Sequence, residues 1–124
     1  MSKCAVLILP LPPSINYYWR ANGNRRFICE AGKRFRADVW AIAKSANIES
    51  FGTKRLFMTV TLHFRDKRKS DIDNRIKALW DALQHAGIYE DDEQIDILLA
   101  TRGEIKKGGQ CVVQIQEAHE LQVI

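Results

Sequence analysis

The sequence contains few cysteines: there are three among 124 residues, and none belongs to a Cys-x-x-Cys pair. The odd number and wide spacing of Cys4, Cys29 and Cys111 argue against a disulfide framework or a zinc site, and are typical of a reducing cytosol. No run of 18 or more apolar residues is present, so we expect no membrane-spanning segment. The apolar run at residues 4–9 is too short for the apolar core of a signal peptide. We therefore expect a cytoplasmic protein.

Several patterns that mark known activities are also missing. The sequence has no internal repeat, no low-complexity segment, no glycine-rich phosphate loop and no arrangement typical of a serine or cysteine nucleophile. Hydrophobic residues make up 46% of the chain and charged residues 27%, which is the balance of an ordinary globular protein. Because no segment resembles a linker, we predict one domain over residues 1–124.

Charge is distributed unevenly along the chain, which has a formal net charge of +4. Residues 1–62 hold ten Lys and Arg against three Asp and Glu, a net charge of +7. Residues 63–124 hold nine against twelve, a net charge of −3. A basic half of this kind indicates a polyanionic partner, and nucleic acid is favoured over plain surface solubility.

The first part of the chain predicts a strand, a long loop and a helix. The strand is expected over 4–9, because the prolines that follow it cannot continue a β-ladder. Residues 14–30 show no helical period and predict a loop, which has room for a short hairpin at 22–24. Apolar residues then recur at three- and four-residue spacing, which predicts an amphipathic helix over 31–48.

The second part predicts further strands around a second helix. The predicted elements are a strand over 56–64, a helix over 74–86 that Gly87 ends, and strands over 95–102 and 110–117 joined by a turn at 106–109. The order β–loop–α–β–α–β–β predicts an α/β two-layer sandwich. In this fold, a small mixed sheet of about four strands carries two helices on one face.

Two carboxylates, Asp71 and Asp73, lie where the predicted strand gives way to the second helix. Residues two apart project to the same side of an extended segment, so the two side chains would face one volume if the chain is extended there. The structural alternative is that Asp73 or Ser70 caps the helix N-terminus. A cap explains one carboxylate and leaves the second unexplained.

A second acidic group follows the helix, at Glu90–Glu93 and Asp96. Taken alone, it is typical of a solvated, charged turn. If Asp91 or Asp92 comes near the Asp71–Asp73 pair, however, the ionised carboxylates need a cation, and their oxygens suit Mg²⁺ or Mn²⁺. The spacing distinguishes neither Asp91 from Asp92 nor which end of the helix the acidic turn approaches.

Lys77 lies four residues after Asp73, at the polar edge of the helix. Such an i, i+4 pair is commonly a surface ion pair that contributes a few tenths of a kcal/mol. The functional interpretation is a cation that contacts the scissile phosphate of a phosphodiester and stabilises charge in the transition state.

Cations that can bind DNA phosphates occur before the acidic pair. They are Arg20, Arg25, Arg26, Lys33, Arg34, Lys67, Arg68 and Lys69. Tyr17, Tyr18 and Trp19 interleave aromatic surface with the first of these charges, and such side chains can stack on unpaired bases. The alternative for the aromatic residues is a loop anchor that folds back onto the core.

Three segments of the sequence resemble the RusA family of Holliday junction resolvases. They are LPLPPSINYYWR at 9–20, DIDNRIKALWDALQHAGIYEDDEQI at 71–95 and KKGG at 106–109. The resemblance spans nearly the whole chain in the same order. The series Asp-x-Asp-Asn-x-x-Lys, Asp-Ala-Leu, Ala-Gly and Asp-Asp is far more specific than a lone Asp-x-Asp.

The resemblance implies a homodimeric, Mg²⁺-dependent crossover junction endodeoxyribonuclease of bacterial or phage origin, for which we expect Mn²⁺ to be able to substitute for Mg²⁺. Such an enzyme nicks two opposed strands of four-way DNA in recombination and repair. The resemblance further implies that Asp71, Asp73 and Asp92 bind the metal and that Lys77 is essential. Two other functions stay open: a non-catalytic nucleic-acid-binding module, and a metal-dependent nuclease that acts on another DNA or RNA substrate.

Overall fold

The computed structural model describes residues 3–15, 19–22 and 25–118. Its elements are β1 (Cys4–Leu9), β2 (Trp19–Asn22), β3 (Arg25–Ile28), α1 (Glu30–Ser45), β4 (Leu56–His63), α2 (Asp73–His85), a 3-10 turn (Asp92–Gln94), β5 (Ile95–Arg102) and β6 (Gln110–Glu117). The predicted α/β sandwich with a mixed four-stranded sheet and two helices is confirmed.

The main sheet has the strand order β1-β6-β4-β5. β6 is antiparallel to both β1 and β4, whereas β4 and β5 are parallel and are connected through α2. β1, β4 and β5 therefore point the same way, and their carboxyl ends meet at one edge of the sheet. In open α/β sheets this edge is where ligands bind. The loop that carries Asp71 leaves β4 at this edge.

Alternation along the strands builds one face of the core. In β4, Leu56, Met58, Val60 and Leu62 are fully buried, while the residues between them are half-buried on the other face. The helices supply the second layer, with buried residues at Phe35, Val39 and Ala43 of α1 and at Ile76, Leu79 and Leu83 of α2. The apolar period of each sequence segment therefore decides which side packs inward.

The outward face of the sheet has no helix packed on it within the described residues. Val6 and Ile8 of β1 point to this side and are 57% and 59% exposed, and Leu99 of the edge strand β5 is 53% exposed. The strand register places Val6 in one row with Gln114, Thr59 and Leu99 across all four strands. This face is thus a mixed surface of aliphatic, threonine and glutamine side chains.

Both helices end in the same kind of capping motif. After α2, Gly87 adopts a positive φ of 81°, and the Ile88 N–H donates to the Leu83 carbonyl at 3.1 Å, as the sequence predicted for this glycine. After α1, Asn47 takes the left-handed conformation, and the Ile48 N–H donates to the Ala43 carbonyl. The helix predicted over 31–48 is therefore three residues too long at its C-terminal end.

The prediction of a loop over 14–30 was wrong in part. β2 and β3 form an antiparallel pair in which Trp19 pairs with Ile28 and Asn22 pairs with Arg25, the pairing that a short hairpin in this segment needs. Residues 23 and 24 of the predicted hairpin lie outside the described residues. Tyr17 and Tyr18 lie outside the described residues. Within the described part of the chain, no helix is both long and apolar enough to cross a membrane.

Candidate active site and basic groove

The start of α2 is not capped by a side chain. Its N-cap residue is Ile72, whose backbone is helical (φ −62°, ψ −46°), and no side chain accepts a hydrogen bond there. The Ser70 hydroxyl instead accepts from Arg75, so the capping role considered for Ser70 or Asp73 was wrong. The helical backbone at Ile72 also removes the extended geometry that would place Asp71 and Asp73 on one side.

The carboxylates of Asp71 and Asp73 are both exposed. Neither accepts a hydrogen bond nor pairs with a cation in the part of the chain that the structure describes. Asp73 lies in the first turn of α2, where the free N–H groups and the helix dipole favour a negative charge. The two carboxylates are therefore available to an external cation or donor.

Asp91 and Asp92 have different roles at the 3-10 turn. The Asp91 carboxylate accepts from the Glu93 N–H at 3.0 Å and forms a capping box with Gln94, so its oxygens serve the turn itself. The Asp92 carboxylate points to α2 and accepts from Lys77 Nζ at 2.7 Å. The two neighbouring aspartates therefore differ in what their carboxylates contact, Asp91 the turn itself and Asp92 the side chain of Lys77.

The 3-10 turn lies toward the C-terminal half of α2. The Asp92 N–H donates to the Gln84 side chain at 3.1 Å, and Gln84 is eleven residues after Asp73, about 16 Å along the helix axis. Lys77 spans part of this separation with its long side chain. The structure therefore joins Lys77 to Asp92 and does not join Asp92 to Asp71 and Asp73.

The chemistry of the donors and their arrangement lead to different conclusions about a metal ion. Carboxylate oxygens are the donors that Mg²⁺ prefers. Within residues 3–15, 19–22 and 25–118, however, no group of three or more His, Cys, Asp or Glu side chains is placed to hold a metal ion. One protein chain in this conformation therefore does not provide the complete three-aspartate set.

The remaining acidic residues near the turn form an ion cluster with Arg55. This guanidinium donates to the carboxylates of Glu93 and Asp96, and its hydrogen bonds hold the pKa of Asp96 below the usual range. Glu93 and Asp96 thus neutralise Arg55 at the start of β5. They leave Asp92 as the carboxylate of this segment that faces α2.

Gln94 fixes the acidic turn from inside the protein, a role that the sequence did not indicate. It is 4% exposed. Its Oε1 accepts from the N–H groups of Glu90 and Asp91, and its Nε2 donates to the carbonyls of Gly52 and Lys54. One side chain therefore ties the segment that carries Asp92 to the loop before β4.

A cleft of about 620 Å³, which we call the basic groove, opens at the carboxyl edge of the sheet. Its lining comes from the loop after β1, the start of α1, the loop after β4 and α2. The charged lining residues are Arg65, Arg68, Lys69, Arg75 and Asp66. Four cations against one carboxylate give the lining a net charge of +3, and Ser70, the residue before Asp71, also lines it.

The cations predicted to bind DNA fall into three groups. Lys33, Arg34, Lys67 and Lys69 are exposed on α1 and on the loop after β4. Arg68 is exposed but engaged, because it donates to the Asp66 carboxylate at 2.9 Å. Arg20 lies on β2, and Arg25 and Arg26 lie on β3.

Two further arginines, Arg75 and Arg102, converge on this edge although they are 27 residues apart. Arg102 donates to the Ser70 carbonyl at 2.8 Å, and Arg75 donates to the Ser70 hydroxyl at 3.1 Å. Burial, together with the nearby charge of Arg65, lowers the pKa of Arg75. No motif or spacing in the sequence indicates this pairing, because it depends on β5 returning beside β4.

Comparison with known proteins agrees with the motifs at this site. A sequence profile described as Endodeoxyribonuclease RusA matches residues 10–116, which include the acidic pair, Lys77 and Asp92. The chain belongs to the RusA family. The matched segment covers every strand and helix of the described fold except β1 and the end of β6.

Individual RusA proteins are similar over most of their length. The chain is 40% identical over 110 residues to the crossover junction endodeoxyribonuclease of Enterobacteria phage HK97, covering 89% of this chain and 92% of the relative. It is 34% identical over 111 residues to the protein of the same name from Shigella sonnei, and 33% identical to that from Escherichia coli K12, each covering 90% and 92%.

Proposed function

We propose that this RusA-family chain is a crossover junction endodeoxyribonuclease. It cuts four-way DNA junctions by paired, metal-dependent phosphodiester hydrolysis during recombination and repair. One observation carries this proposal: Asp71 and Asp73 are exposed carboxylates beside a groove whose lining has a net charge of +3, and neither is paired among the described residues. The relatives of the chain bear the name of this activity. Because the substrate is bacterial or phage DNA, we place the activity in the cytoplasm.

We propose Mg²⁺, replaceable by Mn²⁺, as the cofactor, with Asp71, Asp73 and Asp92 as its ligands. Asp71 and Asp73 support the proposal because no described residue occupies their oxygens. Asp92 joins them only when its ion pair with Lys77 opens and the acidic turn moves toward the start of α2, because the described arrangement keeps Asp92 apart from the pair. When bound, the metal supplies charge stabilisation and an activated water for hydrolysis.

Lys77 is the cation proposed to contact the scissile phosphate. Its ammonium is half-exposed and reaches across α2 to Asp92, so the same side chain can exchange a carboxylate for a phosphate oxygen. The exposed Lys33, Arg34, Lys67 and Lys69, together with the three arginines of the hairpin, are proposed phosphate contacts. They supply binding that depends on salt and not on base sequence.

A homodimer would suit a four-way junction, which has approximate two-fold symmetry and needs two incisions. The outer face of the sheet supports association, because Val6, Ile8 and Leu99 expose aliphatic surface there. Sedimentation equilibrium of the wild-type protein measures the assembly directly. A mass that stays that of one chain at all concentrations contradicts the dimer.

The test of the proposed function is a substrate panel. End-labelled four-way junction, linear duplex of the same sequence and single-stranded RNA are each incubated with wild-type protein and Mg²⁺, and the products are separated on denaturing gels. We expect symmetric nicks on two opposed strands of the junction and no comparable cutting of the duplex or RNA. Equal cutting of the duplex or RNA would identify a nuclease of different specificity, and binding without any cutting would identify a binding module.

A further inference from the structure

We propose that Arg75, Arg102 and Ser70 form a phosphate clamp where the basic groove meets a smaller neighbouring cleft. The clamp binds a backbone phosphate of the DNA strand that passes Asp71. This inference rests on the proposed function for the identity of the strand. It assigns a ligand to three residues that were given no binding role from the sequence.

The clamp is built from contacts to neutral groups. Arg75 donates to the Pro12 carbonyl at 2.7 Å and to the Ser70 hydroxyl, and its guanidinium centre lies 5.5 Å from the centre of the Phe64 ring. Arg102 donates to the Ser70 carbonyl, and its guanidinium centre lies 4.6 Å from the same ring. The two arginines are thus held beside one aromatic ring and one serine.

Neither arginine has a carboxylate within ion-pair distance among the described residues. This is unusual for Arg75, because it is partly buried and its Nε is shielded from solvent without a hydrogen-bond partner. An unpaired charge taken out of water is costly, and the nearby like charge of Arg65 adds repulsion. An anion bound beside Arg75 offsets both costs.

The hydrogen-bonding groups at the clamp suit a phosphodiester. A guanidinium has five N–H donors in a planar fork that matches phosphate oxygens, and Arg75 uses two of them while Arg102 uses one. The Ser70 hydroxyl accepts from Arg75, so its own proton is available to a phosphate oxygen. The remaining donors of Arg75 and Arg102 and the hydroxyl of Ser70 therefore lie around Ser70, the residue that precedes Asp71.

The residues around the clamp favour binding of a polyanion over a purely structural role of the two arginines. Arginines that only fixed Ser70 in place would need no other cations nearby, yet Arg65 and Lys69 line the same groove. A second, smaller cleft of about 220 Å³ shares Phe64, Asp66 and Arg68 with this groove. Arg102 and Lys67 also line the second cleft. Cations thus line both clefts that share Phe64, an arrangement that suits successive phosphates of one strand.

The test is the salt dependence of junction binding, measured by fluorescence anisotropy in EDTA so that cleavage does not intervene. Arg75→Gln and Arg102→Gln keep hydrogen-bond donors at both positions and remove the charge. Lys44→Ala is the control of equal charge, because Lys44 lies on the last turn of α1, about 20 Å along the helix from the groove residue Ala31. Circular dichroism verifies that each variant is folded.

We expect each glutamine variant to bind the junction about tenfold more weakly, with the slope of log K against log salt reduced by about 0.9 for each phosphate that the variant no longer neutralises. Lys44→Ala should keep the wild-type slope. Unchanged affinity, or weaker binding with an unchanged slope, would overturn the clamp. Equal slope changes in Lys44→Ala would also overturn it. If the wild-type protein binds no DNA, the proposed function fails together with the clamp, whereas wild-type binding with unaffected variants removes the clamp alone.

Discussion

Replacing Gln94 tests whether one buried amide holds the acidic turn in place. Its four hydrogen bonds have lengths of 3.1, 3.0, 3.0 and 2.6 Å, and all four partners are backbone groups. At about 1 kcal/mol for each neutral hydrogen bond, Gln94→Ala should lower the free energy of unfolding by about 4 kcal/mol. For 124 residues this corresponds to a fall in Tm of about 15 °C.

Urea unfolding followed by circular dichroism measures this loss. Gln114→Ala is the matched control, because Gln114 is exposed on β6 and, among the described residues, its amide makes a single contact of 3.5 Å to the Cys4 sulfur. We expect the control to change stability by less than about 0.5 kcal/mol. A loss of under about 1 kcal/mol in Gln94→Ala would refute the reasoning.

Gln94→Glu distinguishes the contribution of the amide oxygen, which it keeps as an acceptor, from that of the amide NH₂ group, which it replaces. The new carboxylate keeps an acceptor for the two backbone N–H donors and places a second acceptor against the carbonyls of Gly52 and Lys54. Its neutral form is therefore favoured in the folded protein, and its pKa is raised. The stability deficit relative to wild type should be small below the ordinary glutamate pKa of about 4.3 and should grow as the pH rises.

Two other contacts of α2 give further predictions. Lys77→Ala should reduce single-turnover junction cleavage about hundredfold. Its effect on the free energy of unfolding should be small, because the exposed ion pair with Asp92 contributes at most about 1 kcal/mol. A variant that cuts at the wild-type rate would show that Lys77 forms a surface ion pair and has no role in catalysis. The half-buried pair of Arg36 and Asp81, at 2.6 Å, links α1 to α2. A double-mutant cycle with Arg36→Ala and Asp81→Ala should give a coupling free energy of about 1 kcal/mol, and a coupling near zero would contradict a stabilising link.

Local patterns predicted most of the fold. The alternation in Leu56–His63 and the three- and four-residue spacing in Asp73–His85 have a direct physical cause, since each pattern places apolar side chains on one face of its element. Gly87 was recognised as a helix end because glycine takes a positive φ without strain. The end of α1 was missed because Asn47 takes the same conformation with a weaker sequence signal.

The candidate site was predicted only where its residues are adjacent in sequence. The Asp71–Asp73 pair and Lys77 occupy one segment, so their motif was sufficient to propose them as site residues. The contacts of Ser70 with Arg75 and Arg102, and those of Gln94 with the loop before β4, depend on sheet order and on the paths of distant loops. Periodicity contains no information about such contacts.

The position of Asp92 shows the same limit. The spacing left open which end of α2 the acidic turn approaches, and Gln84 places it toward the C-terminal half. A loop of a few residues can leave a helix end in several directions, and the buried amide of Gln94 selects one of them. The sequence contains that glutamine but not the identity of its four partners.

The most direct test of the central claim is single-turnover cleavage of a labelled four-way junction in Mg²⁺ by wild type, Asp71→Asn and Asp73→Asn. Binding of the same junction in EDTA is measured in parallel. Each substitution removes one negative charge from a site that approaches phosphate, so we expect cleavage to fall at least about hundredfold while binding is kept or tightened. Cleavage at the wild-type rate by either folded variant would contradict the assignment of this acidic pair to catalysis.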